Sequence, residues 1–244
     1  MLTSLLRNKL LWIAVLPPFA LLLYIYKMDK KERESPGLLI KIFLRGVIAC
    51  IPAIISEFAG EYILKMYVDE QDGLYPFIEA YFVVALSEEI FKYIAVRRST
   101  WYSYEFNCRF DGIVYSVFAS LGFAAIENVM YVFNYGFRTG VLRAVLAIPG
   151  HMMFGVFMGV FYSKSKEFSL CGRKILSAFF AVVSTVIPIM LHGTYDYCIF
   201  QETNESLVVF LCFIAVAYTV TFNVIRHYSR NDYYLMKARS RFNS

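Results

Sequence analysis

Apolar residues in this chain come in long runs rather than in alternation. Seven stretches, roughly 10–26, 38–66, 76–96, 110–135, 141–162, 174–200 and 206–226, are dominated by Leu, Ile, Val, Phe, Ala and Met. About 20 mostly apolar residues in a helix cross the hydrocarbon core of a bilayer. Only helices and closed barrels satisfy their backbone there. The runs are too continuous for the alternating segments of about 10 residues that build barrels. The pattern therefore predicts an all-α fold, a polytopic transmembrane helical bundle of about seven spans, six to eight at the bounds. Linkers are short, and there is no internal repeat and no soluble insert. One membrane domain over 1–244 is expected, with its core at 76–200 and a basic tail at 227–244. The run Leu10–Tyr26 follows Arg7 and Lys9 as in a signal peptide, but no small-x-small cleavage site follows it. It reads as a retained first span, kinked by Pro17 and Pro18.

Composition agrees. The chain is 59% hydrophobic with 18% charged residues, against about 25% charged in soluble domains. Its mean hydropathy is +0.53. The net charge of +5 sits in a few loops, as suits an anionic leaflet. No soluble basic domain exists to hold nucleic acid, so the expected partner surface is the lipid bilayer. Cys50, Cys108, Cys171, Cys198 and Cys212 have no CxxC spacing and read as free thiols.

Charge distribution also orients the bundle. Lys27, Lys30, Lys31 and Arg33, then Arg97, Arg98 and Arg109, then Lys164, Lys166, Arg173 and Lys174 occupy three loops. Arg226, Arg230, Lys237, Arg239 and Arg241 occupy the tail. Seven spans put all of these on one side. The other side has Arg7, Lys9, Lys65, Arg138 and Arg143, with acidic loops at Asp69–Asp72 and Glu202–Glu205. The positive-inside rule makes the first side cytoplasmic. The N-terminus is then outside and the C-terminus cytoplasmic, in a cell membrane.

Some residues do not belong in hydrocarbon. An ionisable side chain at mid-bilayer costs at least ~2.5–3.5 kcal/mol. Yet Glu88, Glu89 and Lys92 lie in the third span, Glu127 and Asn128 in the fourth, His151 in the fifth, and His192 and Asp196 in the sixth. Counted from the outer end of each span, Glu88, Glu127, His151 and His192 fall about 12–17 Å deep at 1.5 Å per residue. Four helices deliver polar groups to one layer, which predicts one shared site. Lys92 stands i+4 from Glu88 and i+3 from Glu89, where it can neutralise a carboxylate. Asp196 stands i+4 from His192, where it can orient the imidazole. Gly112, Gly122, Gly150, Gly155, Gly159 and Gly193 let backbones approach. Taken singly, each residue has a plainer reading: the Glu–Lys pair as a packing device, a lone His as a hydrogen-bonded packing residue, Asn128 as interhelical glue. Glu57 and Glu61 read as reaching water near the outer end of the second span, and Asp111 as marking the membrane surface.

Two carboxylates and two imidazoles in one buried layer suit activation of water. One reading is peptide hydrolysis by a Glu-activated water with His stabilising the oxyanion. A second places a divalent metal, Zn²⁺ foremost, among Glu127, His151 and His192 with an open coordination position; no HExxH spacing backs it. A third class is a proton- or ion-coupled transporter, against which stands the lack of an inverted repeat.

The motifs also resemble a family. Glu88-Glu89-x-x-Lys92 is similar to its first motif. The run Asp111–Tyr115 continuing through Gly122-Phe123-x-x-x-Glu127-Asn128 to Tyr131 is similar to its second. His151 with Phe154 resembles the third, and His192-x-x-x-Asp196 the fourth. This ordered set, covering about 80–200, resembles the PrsW family of bacterial intramembrane proteases. Its wider superfamily holds the type II CAAX prenyl proteases and a non-catalytic scaffold subunit of γ-secretase. The resemblance implies a first, extracytoplasmic-side cut in a single-span anti-sigma factor, freeing an extracytoplasmic-function sigma factor for stress responses. It implies Glu88, Glu89, Glu127, His151 and His192 as catalytic residues, with Lys92, Asn128 and Asp196 in support. It leaves metal-assisted and metal-free catalysis both open, and a scaffold role as the non-enzymatic alternative.

Overall fold

A computed structural model describes residues 2–236. Lys237, Arg239 and Arg241 of the basic tail lie outside the described residues. The elements are α1 (Leu2–Met28), α2 (Pro36–Tyr67), α3 (Tyr75–Ile78), a π-helical segment (Glu79–Ala85), α4 (Leu86–Thr100), α5 (Asp111–Tyr135), α6 (Phe137–Val145), α7 (Ala147–Leu170), α8 (Lys174–Phe200) and α9 (Asn204–Arg230). The fold is a polytopic helical bundle, as the apolar runs predict.

Local signals set the helix ends. The Ser35 hydroxyl accepts from the Leu38 N–H, and Pro36 begins α2 without needing a donor there. Thr203 and Ser206 form a reciprocal capping box at the start of α9. Gly136, at φ 85°, turns the chain between α5 and α6, a conformation that costs a glycine little.

Helix α5 is the axis of the bundle. Every residue from Asp111 to Ala125 is buried, with α1, α2, α4 and α7 packed around it. Where α5 crosses α7, a Cβ on Gly159 would stand 2.4 Å from the Gly112 carbonyl oxygen, so the two backbones meet there as the small residues predict. The outer helices turn apolar side chains outward instead: Trp12, Ile48, Ile55, Phe58, Val182 and Val216 are all exposed. A water-soluble bundle would not leave such faces bare; lipid covers them at no cost.

Two spans differ from the sequence pattern. Among the described residues, six helical stretches are long and apolar enough to cross a membrane: Lys9–Met28, Pro36–Tyr67, Asp111–Tyr135, Phe137–Leu170, Lys174–Phe200 and Asn204–Arg230. The expected span 76–96 appears as the helical run 75–100. Its charges keep it out of the hydropathy set, but it packs among α2, α5 and α8, where Glu88, Glu89 and Lys92 are buried. The expected span 141–162 is displaced toward the C-terminus as α7. The segment before it is the separate short helix α6, set off by a break at Leu146 (φ −110°, ψ −63°).

The basic loops gather at one end of the bundle. The Lys31 ammonium donates to the Asp232 carbonyl, the Arg109 guanidinium to the Tyr228 hydroxyl, and the Tyr233 hydroxyl to Glu167. Asp111 lies at this end, at the start of α5, and is fully buried within the protein: its Oδ2 accepts from the N–H groups of Asn107 and Cys108 at 2.9 and 2.6 Å. The loop it caps had orphan donors, and the carboxylate satisfies them.

Candidate active site

Helix α4 supplies the centre. Glu88, Glu89 and Lys92 share one face by their i,i+3 and i,i+4 spacing, and the structure closes both contacts. The Lys92 ammonium donates to Glu88 Oε2 at 2.7 Å and to Glu89 Oε1 at 2.8 Å. Lys92 and Glu89 have no exposed surface, and the ammonium also stands 4.3 Å from the centre of the Phe123 ring. Immediately before α4 the chain runs as a seven-residue π-helix, Glu79–Ala85, a distortion common at functional sites. It packs on α8. A Cβ on Gly193 would lie 2.3 Å from the Tyr81 ring, and the Tyr81 hydroxyl meets Thr194 Oγ1 at 2.8 Å. That close approach brings the neighbouring His192 to Glu89.

The imidazoles close the cluster from two sides. His192 sets Nδ1 at 3.0 Å from Glu89 Oε1 and 3.9 Å from Glu88 Oε2, while its Nε2 stands 3.2 Å from Asp196 Oδ2. Phe154 stacks on the His192 ring at 4.5 Å. His151 sets Nδ1 at 3.2 Å from Lys92 Nζ and Nε2 at 2.9 Å from Glu127 Oε2. The two rings are 5.7 Å apart. The structure thus brings Glu88, Glu89, Lys92, Glu127, His151, His192 and Asp196 into one connected group.

Asn128 stands behind this group. It donates from Nδ2 to the Ala14 carbonyl at 2.8 Å, tying α5 to α1. Its Oδ1 accepts from Arg143 Nε at 3.0 Å, and Arg143 Nη2 reaches Glu127 Oε2 at 3.0 Å. The sequence pattern places Arg143 only among the charges of the outer side. The available signal was a lone Arg inside the apolar stretch Val141–Val145. Glu57, expected to reach water, is half-buried and lines the same cleft as Glu88 and Glu127.

That cleft has a volume of about 960 Å³. Glu88, Glu127, His151 and His192 line it; Glu89 and Lys92 lie behind the wall. Glu88 is therefore the α4 carboxylate open to a bound molecule, and Glu89 is the one held in place.

Two donor groups could hold a metal ion, Glu88 with Glu127 and His151, and Glu88 with Glu89 and His192, each with ligand atoms within 4.8 Å of one another. Among the described residues, the trio expected from sequence, Glu127, His151 and His192, is not such a group; the two imidazoles belong to different ones. The donor chemistry favours the second. His192 Nδ1 hydrogen-bonds Glu89 Oε1 at 3.0 Å, and its Nε2 stands 3.2 Å from Asp196 Oδ2; a metal taking the Nδ1 position would leave Asp196 behind the ring, the carboxylate–histidine arrangement that orients a metal-bound imidazole. His151 faces an ammonium with Nδ1, so that nitrogen accepts and the proton lies on Nε2, leaving no lone pair toward Glu127. Charge agrees: Glu88, Glu89, Glu127 and Asp196 against Lys92 and Arg143 leave two negative charges, which a divalent cation would offset.

Comparison with known proteins identifies the family. Residues 34–224 match the family described as PrsW family intramembrane metalloprotease. Protease PrsW of Oceanobacillus iheyensis is 34% identical over 196 residues, covering 80% of this chain and 84% of that protein. Protease PrsW of Clostridioides difficile is 32% identical over 231 residues, covering 93% and 94%. That of Bacillus subtilis is 30% identical over 190 residues, covering 78% and 82%. No solved structure matches. A buried Glu–His cluster open to a cleft, in a bundle that matches these peptidases over most of its length, makes this chain a member of the PrsW family of intramembrane proteases.

Proposed function

We propose that this protease makes the first, extracytoplasmic-side cut in a single-span membrane protein, an anti-sigma factor, and so frees an extracytoplasmic-function sigma factor. The observation that carries the reading is the exposure of Glu88 to a cleft large enough for an unwound peptide segment, beside two imidazoles.

Glu88 is the general base. Its Oε2 is held by Lys92, which leaves Oε1 for a water. The water oxygen attacks the scissile carbonyl carbon and its proton passes to Glu88. When the C–N bond breaks, that proton goes to the leaving amine. His192 and His151 line the cleft beside Glu88, and an imidazole N–H turned from its carboxylate, Glu89 or Asp196 for His192 and Glu127 for His151, would donate to the carbonyl oxygen as it becomes negative, where such donors count most. Glu89 and Lys92 hold the base, and Glu127 holds His151. A divalent metal, Zn²⁺ foremost, would be held by Glu88, Glu89 and His192 and would supply Lewis-acid polarisation of the carbonyl and a more acidic water.

The membrane orientation belongs to the same proposal. The gathered basic end is cytoplasmic by the positive-inside rule, which puts the N-terminus outside, the C-terminus inside and the cleft toward the outer leaflet.

The test is cleavage of single-span anti-sigma candidates in proteoliposomes without an ion gradient. Wild type is expected to cut near the outer end of the span. Glu88→Gln and His192→Ala are expected to leave folded, inserted protein with no cleavage. Full activity in both variants would end the assignment of roles.

A further inference from the structure

Glu57 has no role in the chemistry above, yet it sits in the catalytic cleft. It belongs to α2, ten residues before the helix ends at Tyr67, and lines the cleft together with Glu88, Glu127 and His192. Its Oε1 is closed off without a hydrogen-bond partner, and no described side chain forms an ion pair with it.

Its acidic neighbours within the spans each face a basic or imidazole group. Glu88 and Glu89 share Lys92, Glu127 has Arg143, and Asp196 faces His192. One turn farther along α2, Glu61 pairs with Lys65 at 2.8 Å. Arg143 is the one Lys or Arg that lines the cleft, and it is committed to Glu127 and Asn128. The charges that bear most on Glu57 are Glu88 and Glu127, both negative, ahead of Lys92 and His192. The cleft wall therefore carries one carboxylate in a negative field, within a membrane span, that no described residue pairs. An ionisable group in such a place marks a binding function whose partner should be sought.

We propose that Glu57 is a substrate subsite that receives a Lys or Arg side chain carried by the single-span substrate beside its scissile bond. The inference rests on the protease reading above and gives it a specificity. The chemistry suits the substrate. Lys and Arg flank membrane spans and carry their charge on long apolar stems, so such a residue reaches a carboxylate below the membrane surface while its stem stays against the apolar wall. Among the described residues Glu57 belongs to neither group of ligands that closes within 4.8 Å, which favours a side-chain cation over a metal ion.

The experiment uses the full-length protein in proteoliposomes with a panel of single-span peptides. The peptides are identical except for Lys, Gln or Glu placed in turn at each residue flanking the cleaved bond. Wild type is expected to favour Lys over Gln by about tenfold or more in kcat/KM at one position, mainly through KM, with Glu the poorest. In Glu57→Gln that ratio is expected to fall to about one. Glu57→Asp, which keeps the charge, is expected to retain the preference, and Glu57→Lys to reverse it toward the Glu peptide. The ratio is internal to each variant, so it does not depend on how much folded protein survives. A wild type that cleaves all peptides without favouring Lys anywhere overturns the inference and leaves the protease reading standing. So does a Lys preference that persists undiminished in Glu57→Gln. A wild type that cleaves none of them overturns the protease reading itself, and the subsite with it.

Discussion

The Lys92 ammonium stands 3.2 Å from Nδ1 of His151, and that contact fixes which nitrogen of the ring carries the proton. An ammonium can only donate, so Nδ1 accepts and the proton lies on Nε2, which stands 2.9 Å from Glu127 Oε2. Lys92 also supplies the one cation that Glu88 and Glu89 share. Removing one partner of a buried ion pair costs about 3–5 kcal/mol, and here two carboxylates are stranded together. Lys92→Met is thus expected to lower the thermal midpoint markedly in detergent and to abolish cleavage. Wild-type stability in that variant would show that the ammonium does not carry the charge of the cluster.

Arg143 works as a clamp on the other side. Its Nη2 holds Glu127, its Nε holds Asn128 Oδ1, and its guanidinium lies over Tyr131 at 4.1 Å. A planar fork does this and a point charge does not. Cleavage rates are expected to fall in the order wild type, Arg143→Lys, Arg143→Gln, with the Gln variant down by about 100-fold or more, the scale of losing a well-placed group at an active site. Equal rates for all three would show that Glu127 does not need holding.

Gly193 tests the placement of His192. An added methyl would meet the Tyr81 ring at 2.3 Å, so α8 and the π-helical segment must separate or the ring must move. Overpacking of this kind costs about 1–3 kcal/mol. Gly193→Ala is expected to lower both stability and turnover, and Tyr81→Ala in the same chain to recover part of the stability. Strict additivity of the two changes would mean that the contact is not shared.

Much of this site is written in local spacing. Glu88, Glu89 and Lys92 meet because i,i+3 and i,i+4 residues share a helix face, and His192 meets Asp196 for the same reason. The common depth of four polar groups reflects equal helix rise, which counting residues recovers. Contacts set by how helices fold back on one another were not legible. Arg143 looked like one more outer-side charge because its partners depend on α6 turning back against α5. Glu57 looked solvated because distance from a helix end says nothing of which neighbours lean over it. Hydropathy alone misses the 75–100 helix, whose charges are neutralised only by one another. Among the described residues the ligand atoms of Glu127, His151 and His192 do not form one of the groups that close within 4.8 Å, because shared depth does not say which imidazole faces which carboxylate.

The basic end of the bundle titrates in the opposite sense from an ordinary surface. Burial, with Asp232 nearby, pushes the Asp29 carboxyl up from 3.8 to about 7. Burial likewise pushes Glu34 up from 4.5 to about 8, although the Tyr115 hydroxyl donates to its Oε2 at 2.6 Å and works the other way. Asp29, Glu105 and Asp111 surround Glu34, while Arg33 and Glu32 bear on Asp29. Both acids keep their protons in the folded protein at a pH where the unfolded chain has lost them. The folded state then binds more protons, so stability falls as pH rises. The contribution is complete below about pH 4 and is lost as pH climbs through about 7 and 8. The thermal midpoint of the wild type is expected to drop between pH 5 and pH 8.5. Glu34→Gln, which keeps an acceptor for Tyr115 and cannot ionise, is expected to flatten part of that drop. Identical pH profiles for the two proteins would show that Glu34 does not hold its proton in the folded state.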